Sequence, residues 1–444
     1  MNLKDFLTHK IYHKFPVRFY SISVSTYSVL LNYKKYGGRY DQIKNSLERL
    51  TNSNINAVEE FIHFAKKQSE FYSKISADSL EDFPLIDKNK VIINSRKILT
   101  NKPYISMSTS GTTGQPINIY LSKFAYQAEY AFWWIHRSFA GLKKGDKVAT
   151  IGGHKIIPIE NSKPPFWVRN YTDNQMIFSS YHLSEKNIPN YIEALNRFQP
   201  DMIHTYPSSI YLIARYSLAN NTQFSFIPKM IQTVSETTLD YQRQVIEKAF
   251  NTKVYVWYGN TEQCGHITEC KCGKLHVQNK HSYIRILDKD DEDTKPGETG
   301  RIVATNLLNR TFPLINYNTN DFVKVAKDQT CPCGQDGLVI DYIDGRIENY
   351  IILPNGRLIG RLDHIFKRDY PVKNAQIVQN NLNEIIIVIE KKDQYSLNHE
   401  KEILREARAR LGNSIDIIID YNTRIKKEIN GKFRFIVQNL KGIA

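Results

Sequence analysis

Between Lys147 and Gly259 two patterns of apolar positions alternate. Short apolar runs ("KVATIGG", "MIHTYP", "MIQTVS", "KVYVWYG") predict buried strands. Between them, "NIPNYIEALNRF", "SIYLIARYSLA" and "YQRQVIEKAF" repeat apolar residues at the spacing of a helix with one buried face. Upstream, residues 41–75 carry the same helical period within an N-terminal helical arm of about 80 residues. "INIYL" alternates as a strand, and the helix "AYQAEYAFWWIHRSFAG" follows it; from His276 to Val325 the chain is richer in strands and turns. Strands alternating with helices predict an α/β fold, here a large domain with mixed, largely parallel sheets over residues 1–345. Beyond "DYIDGRIEN" the pattern restarts with "AQIVQ", "EIIIVIEK", the helix "HEKEILREARARLG", then "IDIIIDY" and "GKFRFIVQN". This predicts a separate, small, mobile α+β domain over residues 346–444.

At 444 residues and 41% hydrophobic, the chain has enough apolar surface for more than one core. No apolar run approaches the roughly 18 residues of a membrane span, and "MNLKDFLTHKIYHKF" lacks the apolar centre of a signal peptide. The expected location is cytoplasmic. A net charge of +15 points to nucleic acid, an anionic membrane or anionic small molecules. No helix-turn-helix, zinc-finger or RNA-binding sheet signature is found, and the surplus is spread along the chain, so no specific nucleic-acid partner is expected. "HKIYHKFPVRFY" allows at most peripheral membrane contact and reads more simply as a packing arm. A homodimer is compatible with all of this.

Candidate chemistry begins at "SMSTSGTTGQPINIY", where Thr109, Ser110, Gly111, Thr112, Thr113 and Gly114 crowd hydroxyls and open backbone N–H groups into one loop, a cradle for phosphate oxygens. It is not a Walker A loop: the Gly-Lys-Ser/Thr ending is missing and a strand, not a helix, follows. A second constellation is "ECKCGKLH" with "TCPCGQ". Two short ligand pairs about sixty residues apart suit a four-ligand zinc site, drawn from Cys270, Cys272, His276, Cys331 and Cys333, with Cys264 a further thiol nearby. Buried reduced thiols are the alternative, and an odd count of five cysteines does not suggest a disulfide framework. Trp133, Trp134, His136 and His154 are either walls of a substrate pocket or core.

In order along the chain, "TSGTTGQP", Ser235-Glu236 in "QTVSETTL", "WYGNTE", "PLINYNTND", "DGRIEN" and "NGKFR" resemble the motifs of the adenylate-forming (acyl-adenylate) superfamily. The long N-terminal arm, "QPDMIHTYPSSI" and the cysteine pattern resemble its phenylacetate–coenzyme A ligase-like branch, which includes capsular-polysaccharide-cluster members. The resemblance covers residues 1–444 and implies ATP-dependent activation of a small carboxylic acid, with magnesium. It implies that residues 109–114 hold the β/γ-phosphates and that Tyr258 and Gly259 lie against adenine beside Ser235 and Glu236. It further implies that Thr261 contacts the α-phosphate, Glu262 holds magnesium and Asp321 takes the ribose hydroxyls. Arg346 would lie at the interdomain hinge, and Lys432 would reach the reacting carboxylate. It favours Cys270, His276, Cys331 and Cys333 as ligands of a structural zinc, with Cys272 in reserve. Coenzyme A is the implied acceptor; an amine or hydroxyl acceptor, for instance on a sugar, is the alternative, as is a non-catalytic nucleotide-binding role. Asn320 stands where the superfamily usually has Gly, and Asn316 where many members have Arg, both beside the ribose segment.

Overall fold

The computed structural model describes residue 16, residues 19–49, 55–108 and 117–345 apart from 155, 159, 239 and 289, and residues 351–440 apart from 356–357, 360–361, 367–369 and 426–435. Helices α1 (Tyr20–Tyr36), α2 (Tyr40–Arg49), α3 (Ile55–Gln68) and α4 (Lys88–Ile98) open the chain. The start of α4 is fixed by Asp87, whose carboxylate accepts the Lys90 N–H at 2.7 Å. Strands β1 (Ile105–Ser108) and β2 (Asn118–Leu121) pair antiparallel, so the Ser/Thr/Gly run is the connection between them; residues 109–116 themselves lie outside the described set. Ser122 then caps α5 (Lys123–Ser138) by accepting the Ala125 N–H at 3.0 Å.

The next strands are β3 (Val148–Gly152), β4 (Trp167–Asn170) and β5 (Gln175–Ser179), followed by helix α6 (Ile188–Phe198) and strand β6 (Met202–Thr205). Helix α7 (Pro207–Ala219), strand β7 (Met230–Val234), helix α8 (Asp240–Phe250) and strand β8 (Val254–Gly259) complete the alternating part. Strands β5, β3, β6, β7 and β8 run parallel in that spatial order, and their inner faces join the helices in one core with Tyr191, Ile203, Ile231 and Phe250 fully buried. The antiparallel pair β4–β5 was not visible in the apolar pattern, because "FWVRN" and "QMIFS" are short and lack a regular alternation.

After β8 the sheet continues antiparallel through β9 (His266–Glu269), β10 (Leu275–Val277), β11 (Tyr283–Leu287), β12 (Thr299–Thr305), β13 (Tyr317–Val325) and β14 (Val339–Gly345). The twelve strands follow the order β11-β12-β13-β14-β10-β9-β8-β7-β6-β3-β5-β4. The mixed sheet is thus parallel in its alternating part and antiparallel in the wing. A second core joins this wing to β1, β2, α3 and α4. Asn316 fastens the N-terminal segment to it: its side-chain amide donates to the Leu80 and Phe83 carbonyls, each at 2.8 Å, and Ile86 bridges to Tyr317.

The C-terminal part has its own core and a four-stranded sheet. After short strands β15 (Ile351–Ile352) and β16 (Leu358–Ile359), β17 (Val372–Asn381) and β18 (Glu384–Lys391) form a hairpin. Helix α9 (Leu397–Leu411) packs with them and starts at a capping box of Ser396 and His399. Strands β19 (Asp416–Asp420) and β20 (Ile436–Gln438) add parallel on the two outer edges.

Candidate active site and cysteine cluster

Parallel strands deliver their carboxyl ends to one edge, where open α/β sheets bind ligands. Here that edge carries Gly153 after β3, Tyr206 after β6, Ser235 and Glu236 after β7, and Tyr258 to Glu262 around the end of β8. Ser235 has φ +67°, and the Glu236 carboxylate accepts the Ser208 N–H at 3.2 Å, in the first turn of α7. A carboxylate there complements the exposed N–H groups of a helix start.

The Tyr258 hydroxyl donates to Asp321 Oδ2 at 2.7 Å, so two motifs 63 residues apart meet directly. A bulge in β13 aims that aspartate. Arg301 pairs with Phe322 and Val303 with Asn318, which leaves residues 319–321 looped out against Ile302. Thr319 Oγ1 donates to the Ile302 carbonyl at 3.0 Å and accepts the Asp321 N–H at 3.1 Å. The bulge needs a left-handed residue at 320, and Asn320 supplies φ +60°. Asparagine is among the few residues other than glycine that adopt this region readily, so the departure from Gly keeps the turn. Asn316, at φ +49°, directs its side-chain amide into the clamp on the Leu80 and Phe83 carbonyls.

Glu262 is 5% exposed, with Oε1 accepting the Tyr317 hydroxyl at 3.0 Å. Among the described residues its other carboxylate oxygen has no hydrogen-bond partner. Thr261 is half-buried beside it. Arg346, Lys432 and the loop Thr109, Ser110, Gly111, Thr112, Thr113, Gly114 lie outside the described residues.

Glu129, His266 and His281 also converge, with ligand atoms within 4.8 Å of one another. They come from α5, β9 and the segment before β11, with no local motif to link them. Glu129 Oε1 accepts from His266 Nε2 at 3.0 Å and from Trp133 Nε1 at 3.0 Å; Oε2 accepts from His281 Nε2 at 3.1 Å. Burial alone would raise the Glu129 carboxyl, but the neighbouring His266 and His281 outweigh it and hold it well below the usual carboxylate range. Burial lowers His281 to about 4.

A second polar chain runs beside it. Arg137 Nη2 donates to Gln232 Oε1 at 3.1 Å, Gln232 Nε2 donates to His136 Nδ1 at 3.1 Å, and His136 Nε2 donates to the Glu269 carbonyl at 2.9 Å. This chain requires a neutral His136, and burial lowers it to about 4. His204 donates to the same Gln232 oxygen at 3.3 Å and is lowered to about 3, again chiefly by burial. His136 is therefore core. Trp133 is half-buried and stacks on Trp257 at 4.8 Å, and Trp134 donates to the Tyr36 hydroxyl.

The cysteine cluster lies where β9, β10 and the segment before β14 meet. Ligand atoms of Cys270, His276, Cys331 and Cys333 all fall within 4.8 Å of one another, with Cys270 Sγ 3.7 Å from Cys331 Sγ and Cys333 Sγ 3.5 Å from His276 Nε2. A tetrahedral zinc with bonds of about 2.3 Å to sulfur and about 2.05 Å to nitrogen sets these separations near 3.8 and 3.6 Å. Lys274 ties the two cysteine segments together through Asp328 Oδ2 and the Thr330 carbonyl, each at 2.7 Å. Cys272 is exposed and outside this group; Cys264 is fully buried, and burial holds its thiol well above the usual range, so it is a core residue.

Three buried neutral histidines give an expected pH profile. His136, His204 and His281 bind protons in the unfolded chain below about pH 6.5, but in the fold only near pH 4 or lower. Stability is therefore full above pH 6.5 and is lost as the pH falls toward 4, each histidine adding a slope of up to about 1.4 kcal/mol per pH unit. Urea midpoints measured from pH 7.5 to 4.5 should fall steeply below 6.5; a flat profile would contradict the neutral network.

Comparison with known proteins places the fold. The chain is 15% identical to 2-hydroxyisobutyryl-CoA ligase, solved with 2-HIB-AMP and CoA in the thioesterification state. The TM-score is 0.54 over 91% of this chain and 92% of that one. It shares the adenylate-forming ligase fold. Residues 351–439 match the CapK C-terminal domain family. Over 457 aligned residues the chain is 30% identical to Protein CapK from Staphylococcus aureus, covering 97% of this chain and 99% of that one. The chain belongs to the CapK family.

Proposed function

We propose that the protein activates a small carboxylic acid with ATP and hands the acyl group to coenzyme A. The observation that carries this is the meeting of Tyr258 with Asp321 near the Glu262 carboxylate, at the carboxyl edge of the parallel strands. In the proposed reaction a carboxylate oxygen of the acid attacks the α-phosphorus of ATP and pyrophosphate leaves. The thiol sulfur of coenzyme A then attacks the acyl carbon and AMP leaves. Tyr258 and Gly259 lie against adenine with Ser235 and Glu236, Asp321 receives the ribose hydroxyls, and Thr261 meets the α-phosphate. Residues 109–114 and Lys432 supply donors to the oxygens on which charge accumulates. Glu262 fits magnesium: one oxygen is fixed by Tyr317 and the other has no partner among the described residues. Bound there, magnesium would neutralise phosphate charge.

The proposed division at residues 345/346, with Arg346 at the hinge, is supported by the separate C-terminal core. Tetrahedral zinc is the proposed occupant of Cys270, His276, Cys331 and Cys333, with a structural role, because four protein ligands leave no position for substrate. It would brace β9 and β10, which continue directly from the nucleotide motif.

Glu262→Gln and Lys432→Ala should each lower acid-dependent pyrophosphate release by about 100-fold or more with the circular dichroism spectrum unchanged. Release at the wild-type rate from either variant would remove that residue from the site. Running the assay over aryl, fatty, amino and hydroxy acids, with coenzyme A or an amino sugar as acceptor, identifies the acceptor.

Protein prepared without chelator should contain one zinc per chain by elemental analysis, and Cys331→Ser should lose it and melt at a lower temperature. Zinc-free protein with the wild-type melting temperature would return the cysteines to ordinary thiols.

A further inference from the structure

Glu129 sits one helical turn beyond the start of the nucleotide motif's contact with α5. Gln263, next to Glu262, donates to the Ala125 carbonyl at 3.4 Å, and His266 meets Glu129 four residues further along the helix. His266 also pairs across the strands with Gly259, the exposed glycine of the Tyr-Gly turn. A Cβ at Gly259 would lie 3.0 Å from His266 Nε2 and 3.2 Å from Trp257 Nε1, so any side chain there would press against that wall. The carboxylate, the histidine and the nucleotide turn are therefore consecutive neighbours.

The two histidines are sealed at 1% exposure, yet the Glu129 side chain keeps 21%. A carboxylate offers about four acceptor sites. Three are filled, by His266, Trp133 and His281. Among the described residues, Oε2 accepts from His281 alone, which leaves one acceptor position. Trp133, which donates to Oε1, stacks on Trp257 at 4.8 Å, and Trp257 lies edge-on to the His266 ring at 5.1 Å. A partly accessible carboxylate rigidly held by three donors, in aromatic surroundings, is a recognition group for a donor on a small molecule.

We infer that Glu129 receives a hydrogen-bond donor, an ammonium or hydroxyl group, carried by the acid that the protein activates. This rests on the acid-adenylating reading of the cleft. It makes the substrate an amino or hydroxy acid, in place of a purely hydrocarbon one. The same three side chains also have ligand atoms within 4.8 Å of one another, as a metal site would. Their geometry favours the carboxylate reading: among the described residues, His266 Nδ1 and His281 Nδ1 are buried with no hydrogen-bond partner, whereas metal-bound histidines ordinarily donate that second N–H to an acceptor.

The test compares acids that differ only in bearing an ammonium, a hydroxyl or a methyl group at one carbon. Pyrophosphate release gives kcat/KM for each, and thermal shift gives binding of the same acids. Wild type should favour a donor-bearing acid over its methyl counterpart by about 100-fold or more, because a site built around a polar group rejects the analogue that lacks it. Glu129→Gln should shrink that preference at least about 10-fold. The ammonium and hydroxyl arms identify the donor. Equal kcat/KM for donor and methyl acids overturns the role of Glu129 and leaves acid activation standing. Tighter binding of donor-bearing acids with no pyrophosphate release from any acid overturns the adenylation reading alone. No acid binding in either assay, or a second metal ion per chain that His281→Ala removes, overturns the inference.

Discussion

The reversal of the chain between β8 and β9 is the constraint on which the site depends, and a buried ion pair fastens it. Glu269 is 3% exposed, and its carboxylate takes Arg243 Nη1 at 3.0 Å, Arg243 Nη2 at 2.8 Å and the Val256 N–H at 2.9 Å. Removing one partner of such a pair leaves an uncompensated buried charge, at a cost of about 3–5 kcal/mol. The pair ties α8 and β8, the last parallel elements, to β9, the first strand of the antiparallel wing. Tyr258, Glu262, His266 and Cys270 all lie on or next to this one reversal. The Tyr258–Glu262 segment, the Glu129 cluster and the cysteine cluster are therefore parts of one mechanical unit.

Much of the parallel region was legible because burial on both faces of a strand and one face of a helix imposes periods that sequence records. The runs at 148–152, 202–205, 230–234 and 254–259 are strands, with helices between them. Cys270, His276, Cys331 and Cys333 were singled out by resemblance, and the structure brings those four residues together. What was not legible is whatever arises from distant pairing. The bulge that aims Asp321 depends on the register of β12 against β13, and Asn316 reveals its role only through carbonyls more than two hundred residues away. Glu129, His266 and His281 form a cluster with no shared spacing, each reading alone as an ordinary surface or core residue.

The two departures from the superfamily pattern separate on the same physical grounds. Asn320 keeps the left-handed turn a glycine would make, so Asp321 still reaches Tyr258. Asn316 uses its amide to satisfy two carbonyls of the N-terminal segment, coupling that arm to the strand bearing Asp321.

The most direct test of acid adenylation is isotope exchange between pyrophosphate and ATP on the wild-type protein. Reversible adenylate formation predicts exchange that requires the acid and magnesium and proceeds without coenzyme A. Cleavage of ATP to ADP and phosphate, or exchange indifferent to the acid, would contradict the account.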